Sequence, residues 1–375
     1  MLIGIKNCEK YKDNYAVEVE YIDLFSTKIY PDGKGGQLGD RGHINNIPIL
    51  EAKEDKIIIA EKIEKGEYEY YIDTNRRKDI AMQHTAEHLF SGIALKDYNL
   101  HNVGFRMGEE VSTIDLDSDT ISEKTVKELS DKVNEAILKG AKVLGTTIMR
   151  YEADTISGLR KKISPKITDE YIRLIKIEDY DLCACAGFHV NDIKDIRVFK
   201  ILSHERIKGK YTRFTFIAGD RAIKDYENKS EIIKSLNHKF SCRDNEIIEK
   251  IENFKKEHED LKKSYNLLLH NYALSLKEDI LKNAIEINSH KVVMFHGEKE
   301  LVNELKKVLA EDKLTFIGLY EDSALIAGED INCSLLIKEI LNADNSVKGG
   351  GGAKQGNIKG ITDENIIIES FKKIV

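Results

Sequence analysis

Hydrophobic and polar residues alternate along much of the first 73 positions, which predicts a β-rich N-terminal domain. The segments 16–30 and 56–73 carry this pattern together with many β-branched residues. Between them, residues 31–42 contain five glycines. We expect this loop to let the backbone approach a ligand closely.

The pattern changes to mixed helix and strand between residues 74 and 225. An apolar helix is expected over 79–93, a strand pair over 105–117 and a β-hairpin over 197–219 with its turn at Gly209. A second helix is expected to begin after Ser122 and to end at Gly140. Residues 173–190 run from a strand into the short motif discussed below.

Between residues 226 and 285, apolar positions recur at alternating steps of four and three, which predicts a helical hairpin with a coiled-coil-like seam. The chain would turn at residues 241–245. The seam consists of Ile247, Ile251, Phe254, His258, Leu261, Tyr265, Leu268 and Tyr272. A packed spacer or a dimer arm is the expected role.

Residues 286–375 return to an α/β alternation. Strand patterns and helix patterns follow one another up to a glycine-rich segment, 348–356, which we expect to be a loop before a final helix.

Composition narrows the classes of function. Charged residues make up 33% of the chain, and the net charge is −7, so overall charge does not favour non-specific nucleic-acid binding. No apolar run approaches the roughly 18 residues that a membrane-spanning helix needs, and the N-terminus does not resemble a signal peptide. The five scattered cysteines fit a reducing cytoplasm. We therefore expect a cytoplasmic protein without membrane contact.

Two short motifs supply candidate metal ligands. His84 and His88 are four residues apart, as are Cys185 and His189. Residues at this spacing lie on one face of a helix. Three imidazoles and one thiolate suit tetrahedral Zn²⁺, so we expect the fold to bring the two pairs together around a zinc ion.

Other functions remain open at this stage. His84, Glu87 and His88 match the H-x-x-E-H signature of inverted zinc peptidases, with Glu87 as the base. A structural zinc in an RNA-binding protein would be closed by four protein ligands, whereas a catalytic zinc keeps an exchangeable position. A phosphoesterase is less favoured because the chain lacks the Asp-His-His motif.

The two motifs also resemble those of a known family. His84-Thr-Ala-Glu-His88 is similar to the H-x-x-x-H motif of the editing domain of alanyl-tRNA synthetase, and Cys185-Ala-Gly-Phe-His189 is similar to its Cys-Gly-Gly-Thr-His motif. Gly35-Gly36-Gln37 resembles the family's Gly-Gly-Gln loop, and Met107–Leu116 resembles one of its strand pairs. The chain thus resembles a freestanding alanyl-tRNA editing protein of the long, AlaX-like form, with a tail similar to a DHHA1 domain.

The resemblance implies an α+β fold in four parts. These are a β-barrel-like N-terminal domain (1–73), a zinc-binding α+β editing domain (74–225), a helical hairpin (226–285) and a small α/β domain for RNA binding or dimerisation (286–375). A homodimer through the hairpin or the C-terminal domain is a further expectation.

The implied reaction is hydrolysis of tRNA(Ala) mischarged with serine, with glycine as the second candidate substrate. Zinc would be bound by His84, His88, Cys185 and His189. Gln37 would contact the substrate or the water, and the amides of Gly35 and Gly36 would approach the ester oxygen. Ala186 and Phe188 depart from the family motif, and Asp32-Gly33-Lys34 adds a residue before Gly35. We expect these changes to alter the size of the substrate pocket and the preference for the amino acid. Position 87 varies in the family motif, so we do not assign Glu87 as the base.

The tRNA would be held through its phosphates by basic side chains. Two candidates precede the metal helix, and the others lie in three later clusters. They are Arg76 and Arg77; Arg160, Lys161, Lys162 and Lys166; Lys208 and Lys210; and Lys348 and Lys354.

Overall fold

The computed structural model describes residues 1–22, 26–163, 168–361 and 363–375, without the side chain of Asp154. This part of the chain forms two compact units, Met1–Lys234 and Ser235–Val375. The division into four functional domains stays a prediction. Lys166, one of the candidate phosphate ligands, lies outside the described residues.

The first unit begins with a closed six-stranded barrel, which confirms the predicted β-barrel. Ile3, Val17 and Ile59 are completely buried in its core. Around the barrel, each strand pairs with its neighbours in the order β1-β2-β5-β4-β3-β6. The strands are β1 (Leu2–Tyr11), β2 (Asn14–Tyr21), β3 (Gly42–Ile44), β4 (Ile47–Ala52), β5 (Ile57–Ile59) and β6 (Gly66–Ile72).

The rest of this unit packs around one long helix. The predicted helix, strand pair, capped helix and hairpin are all present. The elements are α1 (Thr74–Tyr98), β7 (Asn102–Met107), β8 (Ser112–Leu116), α2 (Glu123–Lys139), β9 (Val143–Met149), β10 (Tyr171–Ile177), β11 (Asp181–Ala184), β12 (Phe199–Ile207) and β13 (Tyr211–Ala218). The described 3-10 turns of this unit are Lys34–Gly36, Arg150–Thr155 and Ile193–Ile196. One sheet has the order β11-β10-β9, and the other has the order β12-β13-β8-β7.

Helix α1 is capped at its start by Asp73, whose carboxylate accepts the amide hydrogens of Asn75 and Arg76. From Ile80 to Ala94 every residue of the helix is buried. Phe90 packs against Phe199 and Phe214 from the second sheet. Because the helix is enclosed on all sides, its polar side chains are forced into the interior, and each must find a partner there.

Two helices follow, α3 (Asp220–Phe240) and α4 (Ile247–Lys282), with a 3-10 turn at Asp244–Glu246 between them. The predicted turn at 241–245 is therefore correct. The predicted seam lies along α4, but most of its side chains are exposed within this chain: Phe254 is 60% exposed, Leu261 67% and Leu268 69%. None of the helices in the described ranges combines the length and apolarity needed to span a membrane.

The second unit contains a six-stranded sheet flanked by helices, as the α/β pattern predicted. The sheet has the order β14-β15-β16-β17-β19-β18, in which only β15 and β16 are parallel to each other. The elements are β14 (Ile285–Ile287), β15 (His290–His296), α5 (Lys299–Val308), β16 (Thr315–Tyr320), β17 (Ser323–Ala327), α6 (Cys333–Ala343), β18 (Lys348–Gly351), β19 (Gln355–Lys359) and α7 (Asn365–Ile374).

The glycine-rich segment 348–356 was predicted to be a loop throughout, but only residues 352–354 lie outside the strands. Residues Lys348–Gly351 form strand β18, which pairs antiparallel with β19. A side chain at Gly349 or Gly351 would overlap the backbone of the opposite strand. Glycine is usually depleted in strands, but here its lack of a side chain allows the two backbones to pair closely.

Candidate metal centre

The fold brings the two ligand motifs together. Helix α1 carries His84 and His88, and the segment after β11 carries Cys185 and His189. One donor atom from each of the four residues lies within 4.8 Å of all the others. The Cys185 Sγ atom is 3.4 Å from His84 Nε2 and 3.3 Å from His189 Nε2. Ligand atoms of a tetrahedral zinc site are about 3.4–3.6 Å apart, so this set could hold a zinc ion.

Each histidine is oriented by a hydrogen bond from its other ring nitrogen. The Nδ1 atom of His84 is 2.8 Å from Gln37 Oε1, that of His88 is 2.8 Å from Asp181 Oδ2, and that of His189 is 3.2 Å from Thr85 Oγ1. Each of these oxygens can accept a hydrogen bond from Nδ1–H, so that Nε2 is the nitrogen placed to bind a metal. Such outer partners fix the tautomer and the ring orientation of metal-binding histidines.

Without a metal ion, the site already favours an ionised thiol. Burial opposes ionisation of Cys185, but hydrogen bonds from His189, His84 and His88 outweigh it and lower its pKa to about 2. Burial lowers the pKa of His189 to about 3. Burial acts in the same direction on His88, but the Glu87 charge and the hydrogen bond to Asp181 raise its pKa well above the usual value. Metal binding would therefore release a proton from His88.

The loop of the second motif fits closely against helix α1. A side chain at Gly187 would overlap the His84 ring and the Gln37 side chain. The Arg173 guanidinium donates a 2.6 Å hydrogen bond to the Gly187 carbonyl. The Phe188 amide donates to Gln37 Oε1 at 2.9 Å. Only glycine at position 187 allows the loop to bring Cys185 and His189 to the two helix histidines.

A pocket of about 520 Å³ opens onto this cluster. Its wall includes three of the four candidate ligands, His84, His88 and Cys185, but not His189. Ala186 also lines it, so this departure from the family motif affects the pocket directly. Phe188, the other departure, instead packs against Tyr30 and the Arg77 guanidinium.

A buried ionic network at the pocket wall joins two residues that the sequence analysis had named separately. Arg160 donates through Nε to Asp181 at 2.8 Å and approaches Glu87 at 3.5 Å. Burial opposes ionisation of Glu87, but the charges of Arg160, His88 and His84 lower its pKa overall. Glu87 and Arg160 both line the pocket. The sequence analysis considered Glu87 and Arg160 for other roles, because their pairing in the interior is not visible in a single sequence.

The glycine-rich loop of residues 31–42 contributes to the site. Gly35 lines the pocket, whereas Gln37 is absent from the described residues that line it. Gln37 is buried and contacts His84 and the Phe188 amide, so its contacts are those of a positioning residue. The Gly36 amide donates a hydrogen bond to the Gly33 carbonyl within the turn. It is therefore not available to donate to an ester oxygen.

The candidate phosphate ligands fall into two groups. In the first group, each arginine is held by an acidic partner. Arg76 forms a bidentate ion pair with Glu109, and Arg77 pairs with Asp40. Arg160 is part of the buried network described above. Lys354 is exposed but pairs with Glu329. The others are also exposed, and of these Lys161 lies at the pocket wall. They are Lys161, Lys162, Lys208, Lys210 and Lys348.

Comparison with known proteins agrees with the resemblance of the motifs. The family model described as the threonyl and alanyl tRNA synthetase second additional domain matches residues 172–215, which include Cys185 and His189. An alanyl-tRNA editing protein, Aarsd1, from Danio rerio is 25% identical over 90% of this chain and 84% of its own length. Its Xenopus laevis counterpart, Aarsd1-A, is 26% identical over 81% of this chain and 76% of its own.

Alanine–tRNA ligase from Thermoanaerobacter sp. (strain X514) is 26% identical over 96% of this chain, but this chain spans only 44% of the ligase. A solved structure described as a DHH domain of a member of the s1p family of ribosomal proteins overlaps 35% of this chain and 33% of its own at 16% identity and a TM-score of 0.24. Over most of its length, this chain is therefore similar to alanyl-tRNA editing proteins.

Proposed function

We propose that this protein is a zinc-dependent deacylase that hydrolyses the ester of Ser-tRNA(Ala), with Gly-tRNA(Ala) as a second substrate. The observation that carries the proposal is the cluster of three imidazoles and one thiolate, whose donor atoms lie within 4.8 Å of one another. A pocket of about 520 Å³ opens onto this cluster. The cluster belongs to a chain that matches alanyl-tRNA editing proteins.

The donor set fits zinc in type and in spacing. His84, His88, Cys185 and His189 would bind the ion, which would supply Lewis acidity or lower the pKa of a water molecule. Gln37, Asp181 and Thr85 keep the three imidazoles in the required tautomer. Gly35 and Ala186 shape the pocket wall beside the ligands. The buried helix α1 keeps bulk water away from the far side of the cluster.

Selection against alanine needs a polar contact for the substrate side chain. A site that bonds the serine hydroxyl rejects an amino acid without it, because the polar group of the site is then left unpaired. Among the polar groups that line the pocket, the Arg160 guanidinium beside Glu87 could supply such a contact. Glycine also lacks the hydroxyl, so we expect it to be a poorer substrate than serine.

The partner in this proposal is tRNA(Ala) carrying the wrong amino acid. Apart from Lys354, the exposed candidate lysines best support phosphate contacts, because within the described part of the chain they have no ion pairs like those of the candidate arginines. Lys161 lies at the mouth of the pocket, where the acceptor end would enter, and Lys208 and Lys210 lie in the exposed turn between β12 and β13. Lys348 belongs to the second unit and would contact a different part of the tRNA.

Two further parts of the proposal concern assembly and location. The exposed apolar seam of α4 supports a homodimer, since such a stripe is normally covered by a second helix.

The described cysteines are all free, which supports function in the reducing cytoplasm.

An inverted zinc peptidase is the second candidate, because the Glu87 carboxylate lies 3.7 Å from His88 Nε2. That mechanism does not use Cys185 as a ligand, whereas Cys185 lies within the cluster. Zinc content therefore separates the candidates. A peptidase would retain zinc after Cys185→Ala and would cleave peptides.

The direct test is hydrolysis of Ser-tRNA(Ala) by the purified, zinc-loaded chain, with a known alanyl-tRNA editing domain as the positive control. We expect rapid release of serine and slow release of alanine from Ala-tRNA(Ala). The proposal is wrong if Ser-tRNA(Ala) survives while the control clears it under the same conditions.

A further inference from the structure

The Glu87 side chain is a buried carboxylate at the pocket wall, and the reaction proposed above gives it no role. It is 3% exposed and lines the same pocket as His84 and Cys185. A buried carboxylate is costly unless donors satisfy it. The positions of its donors therefore indicate which of its oxygens is already satisfied and which is available.

One carboxylate oxygen of Glu87 is saturated. Oε1 accepts hydrogen bonds from Ser91 Oγ at 2.8 Å and from Asn102 Nδ2 at 2.6 Å, and Arg160 approaches it at 3.5 Å. These donors come from α1, from β7 and from the segment before β10. Three elements therefore hold the carboxylate in one orientation.

The other oxygen is not saturated. Among the described residues, Oε2 has no hydrogen bond, and its charged neighbour is His88 Nε2 at 3.7 Å. When a metal occupies the site, that nitrogen gives its lone pair to the ion and carries no proton. Oε2 is then a carboxylate oxygen at the wall of a pocket without a donor from the protein.

The local charges also leave room for a cation. Arg160 is shared between two carboxylates, Glu87 and Asp181. Both oxygens of Asp181 are occupied, one by Arg160 and the other by His88. The available negative charge is therefore on Oε2 of Glu87, a residue that lines the pocket.

We propose that Glu87 binds the α-ammonium group of the aminoacyl ester. This inference rests on the proposed deacylase function. Serine and glycine share the ammonium group and differ only in the side chain, so a rigidly held carboxylate can serve for both. A charge-assisted hydrogen bond of this kind is also lost when the amino group is acylated. Glu87 thus restricts the enzyme to aminoacyl-tRNA with a free amino group and excludes N-blocked esters.

The test compares two non-hydrolysable ligands, the 3′-seryl amide of 3′-amino-3′-deoxyadenosine and its N-acetyl derivative. Calorimetry measures their binding to the zinc-loaded protein, and zinc content and melting temperature are recorded for each variant. In the wild type we expect the free amine to bind about 10- to 100-fold more tightly, as a hydrogen bond to a charged group contributes. In Glu87→Gln, which keeps an oxygen for Ser91 and Asn102, this preference should disappear.

The matched control is Asp169→Asn, which removes an exposed carboxylate from the rim of the same pocket. It should retain the preference. If Glu87→Gln does not fold with zinc, Glu87→Asp serves in its place, with an intermediate preference expected.

Equal binding of both ligands by the wild type overturns the inference, and it needs no mutant. A full preference in Glu87→Gln overturns it as well. In either case Ser-tRNA(Ala) hydrolysis would continue, so the deacylase proposal would stand. If the wild type neither binds the free amine nor hydrolyses Ser-tRNA(Ala), the deacylase proposal and this inference fall together.

Discussion

At the scale of single residues, the candidate centre depends on side chains that never touch the metal. Gln37, Asp181 and Thr85 each accept a hydrogen bond from Nδ1 of one histidine. The ligand pairs were predictable because each has its own fixed spacing in the sequence. Gln37 and Asp181 were not predictable as partners, because they are 47 and 93 positions away from the histidines they orient.

The role of Gln37 can be separated from that of a catalytic residue. Gln37→Ala removes the acceptor for His84 Nδ1 and should weaken zinc binding about 10- to 100-fold. Competition with a chromogenic chelator measures the change. If zinc affinity is unchanged while kcat falls, Gln37 instead acts on the substrate or the water, as its place in the Gly-Gly-Gln motif first indicated.

Gly187 gives a steric prediction for the same centre. In Gly187→Ala the new methyl group overlaps His84 and Gln37, so the ligand loop must move away and the protein should be purified largely without zinc. Gly352→Ala is the matched control, because nothing lies within 4 Å of the position of its added methyl group. Full zinc content in Gly187→Ala, measured by mass spectrometry of the metal, would contradict the close fit of the loop.

At the scale of elements, the sequence predicted helices and strands well where one side faces the core. It was wrong for most of the segment 348–356, because the glycines resemble a loop but pair with β19. It also could not show that α1 is buried on all sides, since the helix carries Gln83, His84, Glu87 and His88 among its apolar residues. Burial of that kind comes from the two sheets and α2, and most of these elements are distant from α1 in the sequence.

The α4 seam yields a prediction about assembly. If a second copy covers it, Leu261→Lys and Leu268→Lys should each shift the protein from dimer to monomer, because a lysine in the seam places charge in the apolar interface. Asn266→Lys adds the same charge off the seam and should leave the dimer intact. Analytical ultracentrifugation decides the question, and a wild type that is monomeric at micromolar concentration removes the homodimer from the account.

At the scale of the whole molecule, all four candidate ligands belong to the unit Met1–Lys234. A metal that binds only the folded state stabilises that state by mass action. Chelation should therefore increase hydrogen exchange in α1 and β11 and leave β16 and β17 of the second unit unchanged. Mass spectrometry of the exchanged protein measures both, and an equal increase in the two units would contradict a metal confined to the first.

The central claim is that bound zinc is required for hydrolysis of Ser-tRNA(Ala). One paired measurement tests zinc binding and hydrolysis together. Ser-tRNA(Ala) hydrolysis and zinc content are measured on the wild type, Cys185→Ala and Cys183→Ala. Cys183 also lies at the pocket wall, but it is not part of the donor cluster. The account predicts that Cys185→Ala loses zinc and hydrolysis together, while Cys183→Ala keeps its zinc. Hydrolysis at the wild-type rate by a zinc-free Cys185→Ala protein, or no hydrolysis by the zinc-loaded wild type, would contradict it.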